Sequence, residues 1–116
     1  MDEWIRMLEQ VPIFEDFSQR ELLDVLPLFK ERTYKKGVIL FREGDIGDEL
    51  FIIRSGLVKI YRLEHHKEIT LALFRDGDFF GEMSLIQKGE TRSATAETIE
   101  TSTLLTLGRS DFVRFM

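Results

Sequence analysis

Apolar positions follow two different spacings along the 116 residues. Up to Phe29 the spacing is helical: Ile5 and Leu8 recur one turn apart, and Leu22, Leu23, Val25 and Leu26 supply an apolar face. Phe17-Ser18-Gln19-Arg20-Glu21-Leu22 reads as a complete helix start. Ser18 takes the N-cap, Glu21 closes a capping box, and Phe17 and Leu22 are placed as a hydrophobic staple. Pro27 argues against much further helix. From Lys30 onward the apolar runs shorten and glycine punctuates them, which predicts strands over 31–34, 38–42, 50–54, 57–63, 69–74, 92–98 and 102–107. Lys36-Gly37, the stretch from Glu43 to Asp48, Ser55-Gly56 and Arg75-Asp76-Gly77-Asp78 supply turn chemistry between them.

Many short strands at close spacing predict a sandwich or barrel, so the expected fold is mainly β. A helical cap over 1–29 precedes a β body over 30–107. Gly44, Gly47 and Gly56 are expected to serve positive φ or close approach between layers. Ser110 is expected to cap a last helix carrying Phe112, Val113 and Phe115. The chain stops at Met116 inside that apolar run, so it is expected to be a piece of a longer protein.

Composition narrows the function classes. With 43% hydrophobic residues the chain can bury one core. The net charge of −5, from 16 basic and 21 acidic residues, is spread out, so no basic block offers nucleic acid a footprint. No apolar run has the length of a membrane span, and acids occupy the N-terminus where a signal peptide would be basic; a cytoplasmic protein is expected, with no membrane contact. The absence of cysteine removes disulfides, thiolate-held clusters and a thiol nucleophile.

The chemistry concentrates in 79–96, where a strand end, a glycine, one helical turn and a loop lead to a strand opening on arginine. Gly81 lets a ligand approach the backbone. The turn beginning near Glu82 offers N–H groups to an anion, and Arg92 presents a planar fork matched to two phosphate oxygens. An acid at such a place is repulsive unless a donor meets it, and a ribose hydroxyl is such a donor. Glu82 and Arg92 would then read sugar and phosphate separately. A cyclic phosphodiester carries one negative charge, whereas an open monophosphate carries up to two and would sit badly beside Glu82.

This stretch resembles the phosphate-binding cassette of cyclic-nucleotide-binding domains. The ten positions from Glu82 to Arg92 are similar to the spacing in bacterial regulators of the CRP/FNR family. The likeness covers nearly the whole chain. Phe14 with the capped helix after it, Tyr34-Lys35-Lys36-Gly37, Phe41-Arg42-Glu43-Gly44-Asp45, Leu50-Phe51-Ile52-Ile53-Arg54-Ser55-Gly56, Gly77-Asp78-Phe79-Phe80-Gly81-Glu82 and a closing Arg92-Ser93-Ala94-Thr95 resemble family landmarks in the family's order.

The resemblance implies a double-stranded β-helix, also called a jelly roll or β-roll, with flanking N- and C-terminal helices, the latter starting over 108–116. It implies that Glu82 binds the ribose 2′-hydroxyl and Arg92 the cyclic phosphate. Ser84 and Leu85 would contribute backbone N–H groups, and Ser93 a hydroxyl or amide. Gly81 and Met83 belong to the same cassette, and Ile60, Leu71 and Ala94 are candidates for the apolar lining. In a regular strand neighbouring side chains oppose each other, so Arg92 and Ser93 share a pocket only if the strand starts irregularly. The implied effector is cyclic AMP or cyclic GMP, with no metal and no haem. The family usually continues into a dimerisation helix and a helix-turn-helix DNA-binding domain. Homodimer formation and DNA contact are therefore expected through parts this chain lacks.

Other readings compete for the same residues. An enzyme on a β-roll would need a clustered ligand set on facing strands, and His65 with His66, side by side in one loop, does not supply it. Both are expected to be solvated turn residues, as are the acids between Glu43 and Glu49, whose spacing does not fit a calcium loop. No catalytic residue is therefore expected. A domain of this ancestry that takes another small effector, or serves only as an interaction module, stays open as the alternative.

Overall fold

The computed structural model describes residues 2–116. The N-terminal part holds helix α1 (Asp2–Glu9), a 3-10 turn (Pro12–Phe14), helix α2 (Gln19–Val25) and a second 3-10 turn (Leu26–Leu28). The capping box forms as expected. The Ser18 hydroxyl accepts from the Glu21 N–H at 3.1 Å, and the Glu21 carboxylate accepts from the Ser18 N–H at 2.9 Å. Pro27 sits in the second 3-10 turn, where the chain leaves helical geometry.

The body of the molecule is eight strands: β1 (Lys30–Tyr34), β2 (Ile39–Phe41), β3 (Glu49–Ser55), β4 (Leu57–Glu64), β5 (Lys67–Arg75), β6 (Phe79–Phe80), β7 (Thr95–Thr98) and β8 (Ser102–Gly108). They form two antiparallel four-stranded sheets, β1-β8-β3-β6 and β2-β7-β4-β5. This is the jelly roll. Helices α3 (Met83–Ile86) and α4 (Arg109–Phe115) complete the chain.

Strands β3 and β8 are apolar on both faces because both faces are covered. Phe51, Ile53 and Leu104 point into the core between the sheets with Val58, Phe80 and Ala96. Their neighbours Leu50, Ile52, Leu105 and Leu107 point the other way, into a second core shared with Leu8, Phe14, Leu22, Val25, Leu85 and Phe112. Phe14 meets Phe112 edge-on at 6.1 Å, and Phe17 stacks on Phe115 at 5.9 Å, so the N-terminal helices and α4 share one aromatic cluster. Trp4 packs against the same cluster, with the Arg54 guanidinium 5.5 Å from its ring centroid.

Three local readings need correction, and one gains its bounds. The strand expected at 92–98 starts only at Thr95, because the chain from Thr91 to Ala94 is tied to the loop before β3 instead of a neighbouring strand. Phe79–Phe80, read as a strand end before Gly81, is a strand of only these two residues, pairing with Phe51 and Ile52. Gly108, not Ser110, precedes the last helix, since the Arg109 N–H donates to the Asp48 carbonyl at 2.7 Å and fixes the change of direction there. In the β4–β5 ladder Ile60 opposes Ala72 and Tyr61 opposes Thr70, which leaves Leu71 as an unpaired bulge residue.

His65 and His66 form the two-residue turn of that hairpin, with φ of 50° and 66°. Both values are positive, the geometry of a type I′ turn. Among the described residues no helix is long and apolar enough to cross a membrane.

Candidate functional site

Between β6 and β7 the chain makes the expected sequence of glycine, short helix and loop. Gly81 has φ of +82°, Glu82 stands at the N-cap of α3, and Ser84 and Leu85 are buried in that helix. The cassette borders a cavity of about 270 Å³. Of the residues expected at the site, Ile60, Gly81, Glu82, Met83, Ser84, Arg92, Ser93 and Ala94 all line it. Leu71 and Leu85 do not. The bulge leaves Leu71 51% exposed, and Leu85 turns its side chain into the helix-side core. The Ser84 and Leu85 N–H groups donate to the carbonyls of Gly81 and Glu82, each at 3.1 Å.

The lining also holds Phe80, expected as core or pocket wall, and Phe41, Phe74, Glu90 and Thr91, which the sequence reading does not single out. Phe41 reaches the cassette from β2, far away in sequence, and no local pattern marks it. Glu90 and Thr91 lie within the cassette and carry a usable signal, being polar residues immediately before the arginine.

Arg92 is the centre of the arrangement. Its side chain is long and charged, yet the residue is only 8% exposed. Nη2 donates to the Glu49 carbonyl at 2.9 Å, while Nε is sealed from solvent and has no partner. No carboxylate pairs with it among the described residues. Instead its guanidinium carbon lies 4.2 Å from the Phe41 ring centroid and 5.8 Å from that of Phe51. Burial pushes the guanidinium below its usual pKa, against the opposing pull of Glu49, Asp48, Asp45 and Glu90. It stays cationic all the same, since an arginine gives up its proton only far above neutral pH. A buried cation with donors to spare is costly until an anion meets it.

The backbone around this cation is tightly held. The Arg92 N–H donates to the Asp45 carbonyl at 2.7 Å, the Arg92 carbonyl accepts from the Gly44 N–H at 2.8 Å, and the Glu90 carbonyl accepts from the Gly47 N–H at 2.7 Å. Thus the stretch between Glu43 and Glu49 is the expected turn, with Glu43, Asp45 and Asp48 exposed, and its backbone is also the clamp that sets the arginine. Two glycines make room for it. A Cβ at Gly47 would lie 2.5 Å from Arg92 Nε, and one at Gly81 would lie 2.7 Å from Nη1.

Because β7 begins only at Thr95, Arg92 and Ser93 escape strand alternation and both face the cavity. Glu82 lines the same cavity without forming an ion pair to Arg92, so the two are not a surface bridge between helix and strand. Glu82 and Arg92, with no ion pair between them, thus stand at one hollow walled by Phe41, Phe74, Phe80, Ile60 and Ala94. Among the described residues no three His, Asp or Glu side chains are grouped to hold a metal ion.

A family model described as "Cyclic nucleotide-binding domain" matches residues 31–116. The chain belongs to this family. The cyclic nucleotide-binding domain described here is 40% identical over 103 residues to the "Cyclic AMP receptor protein" of Thermus thermophilus, an alignment covering 88% of this chain and 47% of that receptor. The chain therefore spans about half the length of that relative. Its fold matches the N-terminal domain of a transcriptional regulator from Streptomyces coelicolor with a TM-score of 0.87 and 31% identity, covering 99% of this chain and 78% of the other. It also matches the regulatory domain of Toxoplasma gondii PKA, solved with cAMP, at a TM-score of 0.89 and 29% identity, covering 99% and 44% respectively.

Proposed function

We propose that this cyclic nucleotide-binding domain senses cyclic AMP, with cyclic GMP as the second choice, and reports occupancy to an attached DNA-binding unit of a CRP/FNR-type regulator. The observation that carries the reading is the buried Arg92, short of partners, at the wall of a cavity that Glu82 also lines. The guanidinium takes the ring phosphate, Glu82 accepts from the ribose 2′-hydroxyl, and Ser93 adds its hydroxyl. The Phe41, Phe74, Ile60 and Ala94 surfaces take the apolar faces of sugar and base. Similarity to a receptor named for cyclic AMP and to a domain solved with it supports the choice of ligand. No step makes or breaks a bond in the nucleotide; the domain binds and signals, as a cytoplasmic regulator would.

The route outward starts at α3. Ser84 lines the cavity while its neighbour Leu85 lies in the helix-side core with Phe112 of α4. A ligand that settles the cassette in one arrangement therefore biases α4, provided it binds one state better than the other. The homodimer contact and the DNA contacts belong to the longer protein.

Thermal melting with each cyclic nucleotide tests the reading: at a hundred times its dissociation constant a ligand adds about 2.7 kcal/mol of stability. In titration calorimetry Arg92→Ala should lose about 3–5 kcal/mol of affinity. A flat melting response to both nucleotides would leave an interaction module or another effector as the better reading.

A further inference from the structure

Two acidic residues, not one, line the cavity beside Arg92. Glu82 and Glu90 both belong to its lining, and Arg92 is the one cation among its described lining residues. Under the cyclic-nucleotide reading Glu82 has a task, the ribose hydroxyl. Glu90 has none. No ion pair or hydrogen bond engages its carboxylate among the described residues. It is not a loose surface acid either. Glu90 is half-buried, and its carbonyl accepts from the N–H of Gly47, the residue that leaves no room for a side chain against Arg92 Nε. Its backbone is thus pinned beside the guanidinium, and its charge is felt there after those of Glu49, Asp48 and Asp45, none of which lines the cavity.

With two carboxylates and one guanidinium, the lining carries an excess of one negative charge before any ligand arrives. A cyclic phosphodiester adds one more, whereas a phosphate monoester adds about 1.5 to 2 at neutral pH. Repulsion from a fixed carboxylate grows in proportion to the charge of what it faces.

We infer that Glu90 is a selectivity residue: its carboxylate turns away open nucleoside monophosphates and leaves the pocket to ring-closed, singly charged phosphodiesters. Glu82 repels the extra charge by the same rule, but its hydrogen bond to the sugar, available to open and closed nucleotides alike, offsets part of that repulsion, whereas Glu90 has no such offset. The inference rests on the function proposed above and names the residue that excludes the commonest competitors of such a ligand.

Glu90→Gln removes the charge and keeps the shape. Titration of wild type and variant with cyclic AMP, 5′-AMP and adenosine reads the effect. For a repulsion of about fivefold per ligand charge, the variant tightens cyclic AMP about fivefold, 5′-AMP by up to about twenty-five-fold and neutral adenosine not at all. The gap should widen at low salt. Glu90→Ala, checked for an unchanged melting temperature, should repeat the pattern. A merely structural role would shift all three ligands by one common factor, and that outcome, or an unchanged ratio of 5′-AMP to cyclic AMP affinity in both variants, overturns the inference while the sensor reading stands. If wild type binds neither cyclic AMP nor cyclic GMP, the sensor reading fails and takes this inference with it.

Discussion

Gly47 leaves no room for a side chain between its own backbone and the guanidinium of Arg92: a Cβ there would lie 2.5 Å from Nε and collide with the Ser84 hydroxyl. Gly47 is also buried, and its amide holds the Glu90 carbonyl. Its backbone does not need the left-handed region, so the requirement for glycine comes from contact alone.

Gly47→Ala should therefore act on the site more than on the fold. The added methyl displaces Ser84 and Arg92 together. Stability should fall by about 1–3 kcal/mol, the usual cost of overpacking. Cyclic nucleotide affinity should fall about tenfold or more through the misdirected charge. Calorimetry beside urea unfolding checks both, and unchanged affinity would mean that the arginine need not stand where the structure has it.

Arg92→Met separates binding from stability. The native guanidinium is buried, has no carboxylate partner and leaves Nε unsatisfied, so its desolvation is poorly offset without ligand. An apolar side chain of similar length should leave the ligand-free domain as stable as wild type, or more stable by about 1–2 kcal/mol. It should abolish the ligand-induced rise in melting temperature. A large loss of ligand-free stability would contradict this view of the cation.

Leu85→Ala tests the path from cassette to helix. Leu85 is 2% exposed and shares its core with Phe112, so truncation should cost about 2–5 kcal/mol in denaturant unfolding. The same change should speed hydrogen exchange of the α4 amides more than that of β4 and β5, whose side chains belong to the other core. Uniform loss of protection would argue against a specific link.

His65 and His66 offer a gain. Both hold positive φ in a two-residue hairpin turn, a conformation in which Asn-Gly is favoured. Replacing the pair by Asn-Gly should stabilise the domain by about 0.5–1 kcal/mol with nucleotide affinity unchanged. Thermal melting and titration check it.

Much of the molecule is legible in its sequence. The Ser18–Glu21 capping box, the turn glycines and the strand-length apolar runs each depend on residues a few positions apart, so their chemistry is written locally. Glu82, Arg92 and Ser93 can be singled out because an acid beside a would-be anion seat admits few explanations, and the three line one cavity. Leu71 misleads because one bulge residue reverses which face a strand position takes, and no sequence spacing marks the slip. Leu85 is expected at the site only through its backbone N–H, and adjacent side chains on α3 serve different layers, Ser84 the cavity and Leu85 the helices.

The amino-acid order alone determined most of the elements, the β-rich architecture and the stretch 79–96 as the candidate site, because backbone preferences and hydrophobic period act over a few residues. Only the folded chain decided that Phe41 would lie under Arg92, that the acidic loop would clamp it, that Gly47 would be needed for space and that Glu90 would share the cavity. Those relationships join segments far apart in sequence through sheet closure, and burial and electrostatics at a site are set by what comes near in space.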